Sequence, residues 1–297
     1  MIKESLMLLK ECCKLGIISS KGLNFLKICL LRGDERILFT LRRYFEKKIT
    51  FIAFCGLLNE SIILSESKNF FNCIYCNCTL EDAKKLSRSE RTEKNLKSTS
   101  LTYGEIEFDA FYQILCKLPK KNINNNIFYD LGSGSGRAVI AAALTNDYKK
   151  IIGIEILTNL HNIATKVLDD FNKNEIKDLL HTATTNGQIN KTDIQLLEGS
   201  IIDYDWSDGD VIFANSTCFD SELMDLITKK AMQLKPGTFI ITFTKELHME
   251  KYPSHFELLE KIKYKMSWGP ATVYFHRRLD YDIDNELDQW KKIAMNL

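Results

Sequence analysis

The 297-residue chain is 45% hydrophobic and 27% charged, which suits a folded protein of one large α/β domain plus an accessory piece and excludes collagen-like or wholly disordered chains. Forty Lys and Arg against 39 Asp and Glu leave a net charge of +1, so a surface built throughout as a nucleic-acid footprint is excluded and any basic patch must be local. No apolar run reaches the roughly 18 to 20 residues of a membrane span, and Lys3, Glu4, Lys10 and Glu11 interrupt the N-terminal apolar positions; together with nine cysteines, this leads us to expect an intracellular, nuclear or cytoplasmic chain with reduced thiols.

Residues 1–65 carry Leu, Ile and aromatic side chains at three-to-four spacing, with breaks at Gly16, Gly22 and Arg32-Gly33-Asp34. That spacing predicts a bundle of short amphipathic helices within an N-terminal domain of residues 1–80, and the Arg-Gly-Asp triplet reads as a turn between helices. Residues 81–100 are almost wholly polar, without glycine or proline, and read as a polar linker or exposed helix marking the domain boundary, or else as a segment that orders over a bound ligand.

From residue 101 to the end, strand and helix patterns alternate. Strands are predicted at 127–131, 151–156, 194–197, 211–214 and 238–243, and helices at 136–144, 160–171 and 221–234, the last stopped by Lys235-Pro236-Gly237. Such alternation builds a mostly parallel sheet with helices on both faces. Segments 258–268 and 272–276 flank Gly269-Pro270 as a terminal antiparallel hairpin. The whole is the seven-stranded, Rossmann-like arrangement of class I methyltransferases.

The strand end at 127–131 runs into Asp130-Leu131-Gly132-Ser133-Gly134-Ser135-Gly136-Arg137. Glycines there let the backbone turn sharply and approach a ligand. The dinucleotide spacing G-x-G-x-x-G fails at Arg137, while D-x-G-x-G-x-G is satisfied. A carboxylate at Asp130 would repel a pyrophosphate but suits the ammonium group of S-adenosylmethionine, so this cofactor is expected over a nicotinamide nucleotide or a ligand-free turn. Glu155 ends the second strand, where an acid can take both ribose hydroxyls. Ser200 and Ile201, after the third strand, are candidates for the adenine. Asp203, Asp205 and Asp208 read as an acidic loop, and no metal is expected.

Four segments carry a family resemblance. Asp210-Val211-Ile212-Phe213-Ala214-Asn215-Ser216-Thr217-Cys218-Phe219, Thr102-Tyr103-Gly104-Glu105-Ile106-Glu107-Phe108, the loop from Asp130 to Gly136, and Ser267-Trp268 with Val273-Tyr274-Phe275-His276 together resemble the disruptor-of-telomeric-silencing (DOT-like) lysine methyltransferases over roughly residues 100–279. The resemblance implies a non-SET protein lysine methyltransferase whose substrate is a lysine on the folded face of a core histone in the nucleosome. It implies that Tyr103, Gly104 and Glu105 cover the cofactor, that Asp130, Gly132, Gly134 and Arg137 lie along its methionine end, and that Glu155 takes its ribose. Asn215 would stand beside the methyl group, and Phe219 and Trp268 would wall the lysine channel.

The chain also departs from that family. Ser216 replaces the second asparagine of a usual pair, Ser200-Ile201 replaces an acid-aromatic pair at the adenine, and the terminal turn is shorter. The C-terminal stretch LDYDIDNELDQWKKIAMNL holds only two lysines, so direct DNA binding is expected to be weak and to use the basic residues of 84–97 or of the first third.

Other residues have plainer readings. Asn215 can cap the helix starting near Asp220. Cys73, Cys76 and Cys78 read as a reduced buried cluster rather than a zinc site, Cys218 lacks a nearby histidine for nucleophilic chemistry, and His248, His255 and His276 read as surface or packed residues. Rival functions are a class I methyltransferase for RNA, a small molecule or a non-histone protein, and a cofactor-binding module without turnover.

Overall fold

The computed structural model describes residues 2–31, 35–96, 98–119, 126–146, 148–173, 192–266 and 268–280. The expectations for Arg32-Gly33-Asp34, Ser267 and the tail after Asp280 lie outside the described residues. Described residues up to Cys73 form one compact unit, and those from Ile74 onward form another.

The first unit consists of helices α1 (Ile2–Lys14), α2 (Ser20–Leu31), α3 (Glu35–Phe45) and α4 (Phe51–Ile74, ending at the unit boundary). Its core is built from Leu9, Cys12, Leu26, Ile37, Leu41, Phe54 and Leu58. Gly16 ends α1 in the left-handed region at φ 71°. Its amide donates to the Cys13 carbonyl and that of Ile17 to the Cys12 carbonyl, the paired bonds of a Schellman stop. Gly22 does not break a helix, contrary to expectation: it lies within α2, where an added Cβ would come 3.0 Å from Ile62 Cδ1 on α4. Close approach, not termination, is what that glycine supplies. Nor is α4 short, since it runs unbroken for 24 residues.

In the second unit, the segment expected as a polar linker is helix α5 (Leu80–Glu93). Thr79 and Asp82 form a reciprocal capping box at its start, with each backbone N–H donating to the other's side chain at 3.2 Å. Its buried face is Ala83, Ser87 and Glu90, and it packs against α8 (Thr158–Lys173). Cys73 and Cys76 are exposed and Cys78 half-buried, so the expected buried cysteine cluster does not form.

Beyond it come α6 (Phe108–Leu115), β1 (Ile127–Leu131), α7 (Arg137–Thr145), β2 (Lys150–Glu155), α8, β3 (Asp193–Glu198), β4 (Val211–Ala214), α9 (Ser221–Ala231), β5 (Phe239–Phe243), β6 (Phe256–Met266) and β7 (Gly269–Arg278). The strands form one sheet in the order β3-β2-β1-β4-β5-β7-β6. β1 to β5 are parallel, and β7 runs antiparallel to both β5 and β6. Buried aromatic rings pin α6 to the sheet: Phe111 lies 4.9 Å from Phe213, which lies 5.1 Å from Phe243, both pairs edge-on. The expected strands and helices are therefore all present, with α9 ending three residues early, at Ala231.

Candidate functional site

Strand order reverses direction at β1, which has β2 on one side and β4 on the other. In an open parallel sheet, the loops leaving the strand ends separate there and open a crevice. A cavity of about 370 Å³ occupies this place. Of the residues expected at the site, Tyr103, Gly104, Gly132, Glu155, Ser200, Ile201, Asn215 and Phe219 line it.

The floor is the glycine loop. Gly132 and Gly134 adopt φ of 85° and 54°, conformations that side-chain-bearing residues rarely take. The loop is drawn against β2, since the Gly132 and Ser133 amides both donate to the Ile154 carbonyl at 2.9 Å. At Gly134 an added Cβ would stand 2.4 Å from Tyr103 Cε2, so glycine is what lets that ring lie on the loop.

Tyr103 is fixed by its hydroxyl, which donates to Glu105 Oε1 at 2.8 Å and shares a 2.6 Å bond with Ser135 Oγ. Glu105 in turn pairs through Oε2 with Arg137 Nε at 2.7 Å. The Arg137 guanidinium stacks 4.2 Å above the Tyr75 ring and donates to the Cys78 carbonyl, and Tyr75 donates to the Ser135 carbonyl. Glu105 and Arg137, expected against the cofactor, therefore turn away from the cavity wall to neutralise each other. Burial raises the Glu105 pKa while Arg137 opposes the rise. Their chemistry here is fastening the Tyr103–Glu105 segment across the glycine loop.

Glu155 ends β2 with 6% of its surface exposed. Its Oε2 accepts the Gly134 amide at 2.7 Å and its Oε1 the Leu157 amide at 2.8 Å. Burial raises its pKa and those backbone bonds counter the rise. Asp130 is 2% exposed and sits behind the cavity wall rather than on it; burial first and the Glu155 charge second push its carboxyl well above the usual range. Gly134 likewise does not line the cavity, because Tyr103 covers it.

Asn215 follows β4. Its Nδ2 donates to the Gly104 carbonyl and its Oδ1 accepts from Thr217 Oγ1, both at 3.1 Å. It does not cap α9, because Asp220 does so by accepting the Leu223 amide at 2.9 Å. Ser216 is fully buried and bonded both ways to the backbone of Phe243, at 2.8 and 3.1 Å. The serine at this position thus ties β4 to β5 and does not face the cavity. Phe219 packs on Gly132, where an added Cβ would lie 3.4 Å from its Cζ. Trp268 does not line the cavity: its ring packs against Gly104 and lies 6.4 Å from the Phe243 ring.

On the third side, Ser200 Oγ accepts the Ile202 amide at 3.2 Å, and Ile201 is fixed by its carbonyl, which accepts Trp206 Nε1 at 2.9 Å. The strap Ser98–Gly104 lines the cavity, extending the expected Tyr103 and Gly104 back to Ser98, and Asp220, which the sequence did not single out, holds it: Ser100 Oγ donates to Asp220 Oδ2 at 2.8 Å and receives the Asp220 amide at 2.8 Å. The available signal was Asp220 preceding Ser221-Glu222-Leu223, a helix start. Ile156, Leu157 and Leu223 add apolar wall.

The remaining candidates lie elsewhere. His276 is buried against the Ile240 carbonyl with its pKa lowered to about 4 by burial, and burial pushes the Cys218 thiol up, away from nucleophilic use. Among the described residues, no cluster of three or more His, Cys, Asp or Glu could hold a metal, and no helix is long and apolar enough to cross a membrane.

Five parallel strands, an antiparallel β7 inserted between β5 and β6, and a glycine-floored cavity at the β1 switch point define the class I methyltransferase fold. Residues 82–272 match the family model of histone methylation protein DOT1, and the chain belongs to that family. A Dictyostelium discoideum protein named histone-lysine N-methyltransferase, H3 lysine-79 specific, is 30% identical over 184 residues, covering 55% of this chain and 9% of that relative. A Caenorhabditis elegans protein of the same name is 30% identical over 223 residues, 67% of this chain and 23% of the relative. A Saccharolobus islandicus protein-lysine N-methyltransferase is 28% identical over 123 residues, 41% of this chain and 65% of the relative. The chain thus spans less than a quarter of the length of the first two relatives.

Proposed function

We propose that the chain transfers a methyl group from S-adenosylmethionine to the ε-amine of a lysine in a core histone, acting in the nucleus on nucleosomes. The observation that carries this reading is the cavity itself, which combines a carboxylate, an apolar slot and a fixed carboxamide in one place. Glu155 sits where its free lone pairs can accept from two neighbouring ribose hydroxyls. Ile156, Leu157 and Ile201 suit a flat heteroaromatic ring, and Ser200 offers a polar contact at its edge. Gly132 leaves room for the amino-acid end, and Asp130 behind it is a buried carboxyl that an arriving ammonium group would draw toward its charged form.

When bound, S-adenosylmethionine supplies an electrophilic methyl group on a positive sulfonium. The protein's part is alignment and exclusion of water. Phe219 and the strap keep the region around Asn215 dry, and desolvation lowers the pKa of an entering lysine so that its proton leaves to water. Asn215, held by Gly104 and Thr217, orients the incoming amine and is no base. Displacement at a sulfonium needs no covalent enzyme intermediate, which agrees with the raised pKa of the Cys218 thiol.

Transfer of radiolabelled methyl is the test, with nucleosomes, free core histones and a whole-cell protein extract as acceptors and an Asn215→Ala control. Label on a histone lysine in nucleosomes supports the reading. Label confined to another protein discards the histone assignment, and failure to bind S-adenosylhomocysteine discards the cofactor.

A further inference from the structure

Helix α8 begins at Thr158, so the capping position falls to Leu157, an apolar residue with no acceptor to offer its first amides. Glu90, on α5, does that work from 68 residues away. Its side chain is 3% exposed, and its two oxygens accept the amides of Thr158 at 2.9 Å and Asn159 at 2.8 Å. Lys94 neutralises it, with Nζ 2.6 Å from Glu90 Oε1, and donates to Thr158 Oγ1 at 3.2 Å. The Thr158 hydroxyl then donates to Glu198 Oε1 at 2.6 Å, at the end of β3.

A cap alone would be met by a serine or aspartate at position 157. The arrangement found links three elements, and two of them carry the cavity's nucleoside wall: Glu155, Ile156 and Leu157 precede Thr158, while Ser200 and Ile201 follow Glu198. One Thr158 therefore has its backbone held by α5 and its hydroxyl by β3.

Resting on the cofactor reading above, we propose that Glu90 and Thr158 form a positioning clamp that sets the gap between the β2–α8 loop and the end of β3, and with it affinity for the nucleoside of S-adenosylmethionine. Neither residue touches the reacting atoms. The clamp acts on binding, so it moves KM and not kcat.

The experiment uses the full chain with Glu90→Gln, Thr158→Val and Thr158→Ser. Calorimetric Kd values are measured for S-adenosylhomocysteine and for adenosine, with KM and kcat on the methyl acceptor identified by the labelling assay. Glu90→Gln and Thr158→Val should each weaken both ligands about tenfold and raise KM to match, with kcat held within about twofold. The double variant should lose less than the product of the singles, because both act on one network. Thr158→Ser, which keeps the hydroxyl, should restore binding. Wild-type affinity in Thr158→Val, or a fall in kcat with unchanged Kd, overturns the clamp. If Glu90→Gln does not fold, Thr158→Val decides alone, since it removes no cap bond. A native chain that binds neither ligand overturns the cofactor reading instead.

Discussion

Asn215 Nδ2 donates to the carbonyl of Gly104, 3.1 Å away and 111 residues earlier in the chain. The bond joins the end of β4 to the strap over the cavity, so one side chain fixes both the proposed amine site and the strap above it. Asn215→Ala should lower kcat about a hundredfold, the usual penalty for misplacing reactants by an ångström, and weaken S-adenosylhomocysteine binding only several-fold through the freed strap, with circular dichroism unchanged. Asn215→Asp keeps the size but cannot donate to Gly104, and should fare no better. Wild-type turnover in either variant would remove Asn215 from the chemistry.

Asp130 supports a prediction about stability against function. Its pKa is raised above 3.8 in the folded chain, by burial and then by Glu155. As pH climbs past the unfolded value, the unfolded chain gives up this proton first and the native state loses stability. Asp130→Asn removes that loss. The melting temperature of the variant should match the native chain near pH 4 and exceed it increasingly toward pH 7, while its affinity for S-adenosylhomocysteine falls. A melting difference that does not grow with pH would contradict the assigned cause.

Gly134→Ala would place a methyl group 2.4 Å from the Tyr103 ring, on a residue with φ of 54°. Because the Tyr103 hydroxyl is pinned by Glu105 and Ser135, the ring cannot easily give way. A loss of about 2 to 4 kcal/mol is expected in urea unfolding, with cofactor binding abolished. Gly237→Ala, also at positive φ (88°) but with nothing within 4 Å, separates backbone strain from the clash and should cost less.

Asp220 has two duties, as cap of α9 and anchor of the strap. Its pKa is lowered, chiefly by the Leu223 amide and then by Ser100. The stabilisation is present above 3.8 and disappears as pH falls through the lower folded value. Asp220→Ala should lose about 1 kcal/mol of stability, as for other caps, and raise KM for S-adenosylmethionine several-fold. Ser100→Ala tests the second duty separately: KM should rise with little change in melting temperature.

The parallel core was legible because its signals are local. Residues 127–131 and 211–214 are short apolar runs closed by Asp130-x-Gly132 and Asn215, and each is a strand with those bounds. Helix α5 was not legible as a packed element, since the side chains it buries are Ala83, Ser87 and Glu90, which give no apolar stripe. The Thr79–Asp82 capping box was the signal to weigh. Gly132 and Glu155, where backbone conformation decides, do line the cavity. Glu105, Arg137 and Trp268 do not, because chain position cannot tell whether a charged or aromatic group faces a cavity or a neighbour. Arg137 found both a carboxylate and a tyrosine ring behind the loop, partners 32 and 62 residues away in sequence.

The strap over the cavity ends on a single carboxylate, and that carboxylate starts a helix. The two ends of the strap are held differently, by hydrogen bonds to Asp220 at Ser98 and Ser100 and by packing of Leu101 and Tyr103 on Ala83, Leu157 and Leu160 further along. The same carboxylate caps the first turn of α9, whose Glu222 and Leu226 are exposed beside the cavity mouth. One side chain therefore answers to two structures at once, and whatever shifts the first turn of α9 is felt at the strap without passing through the sheet.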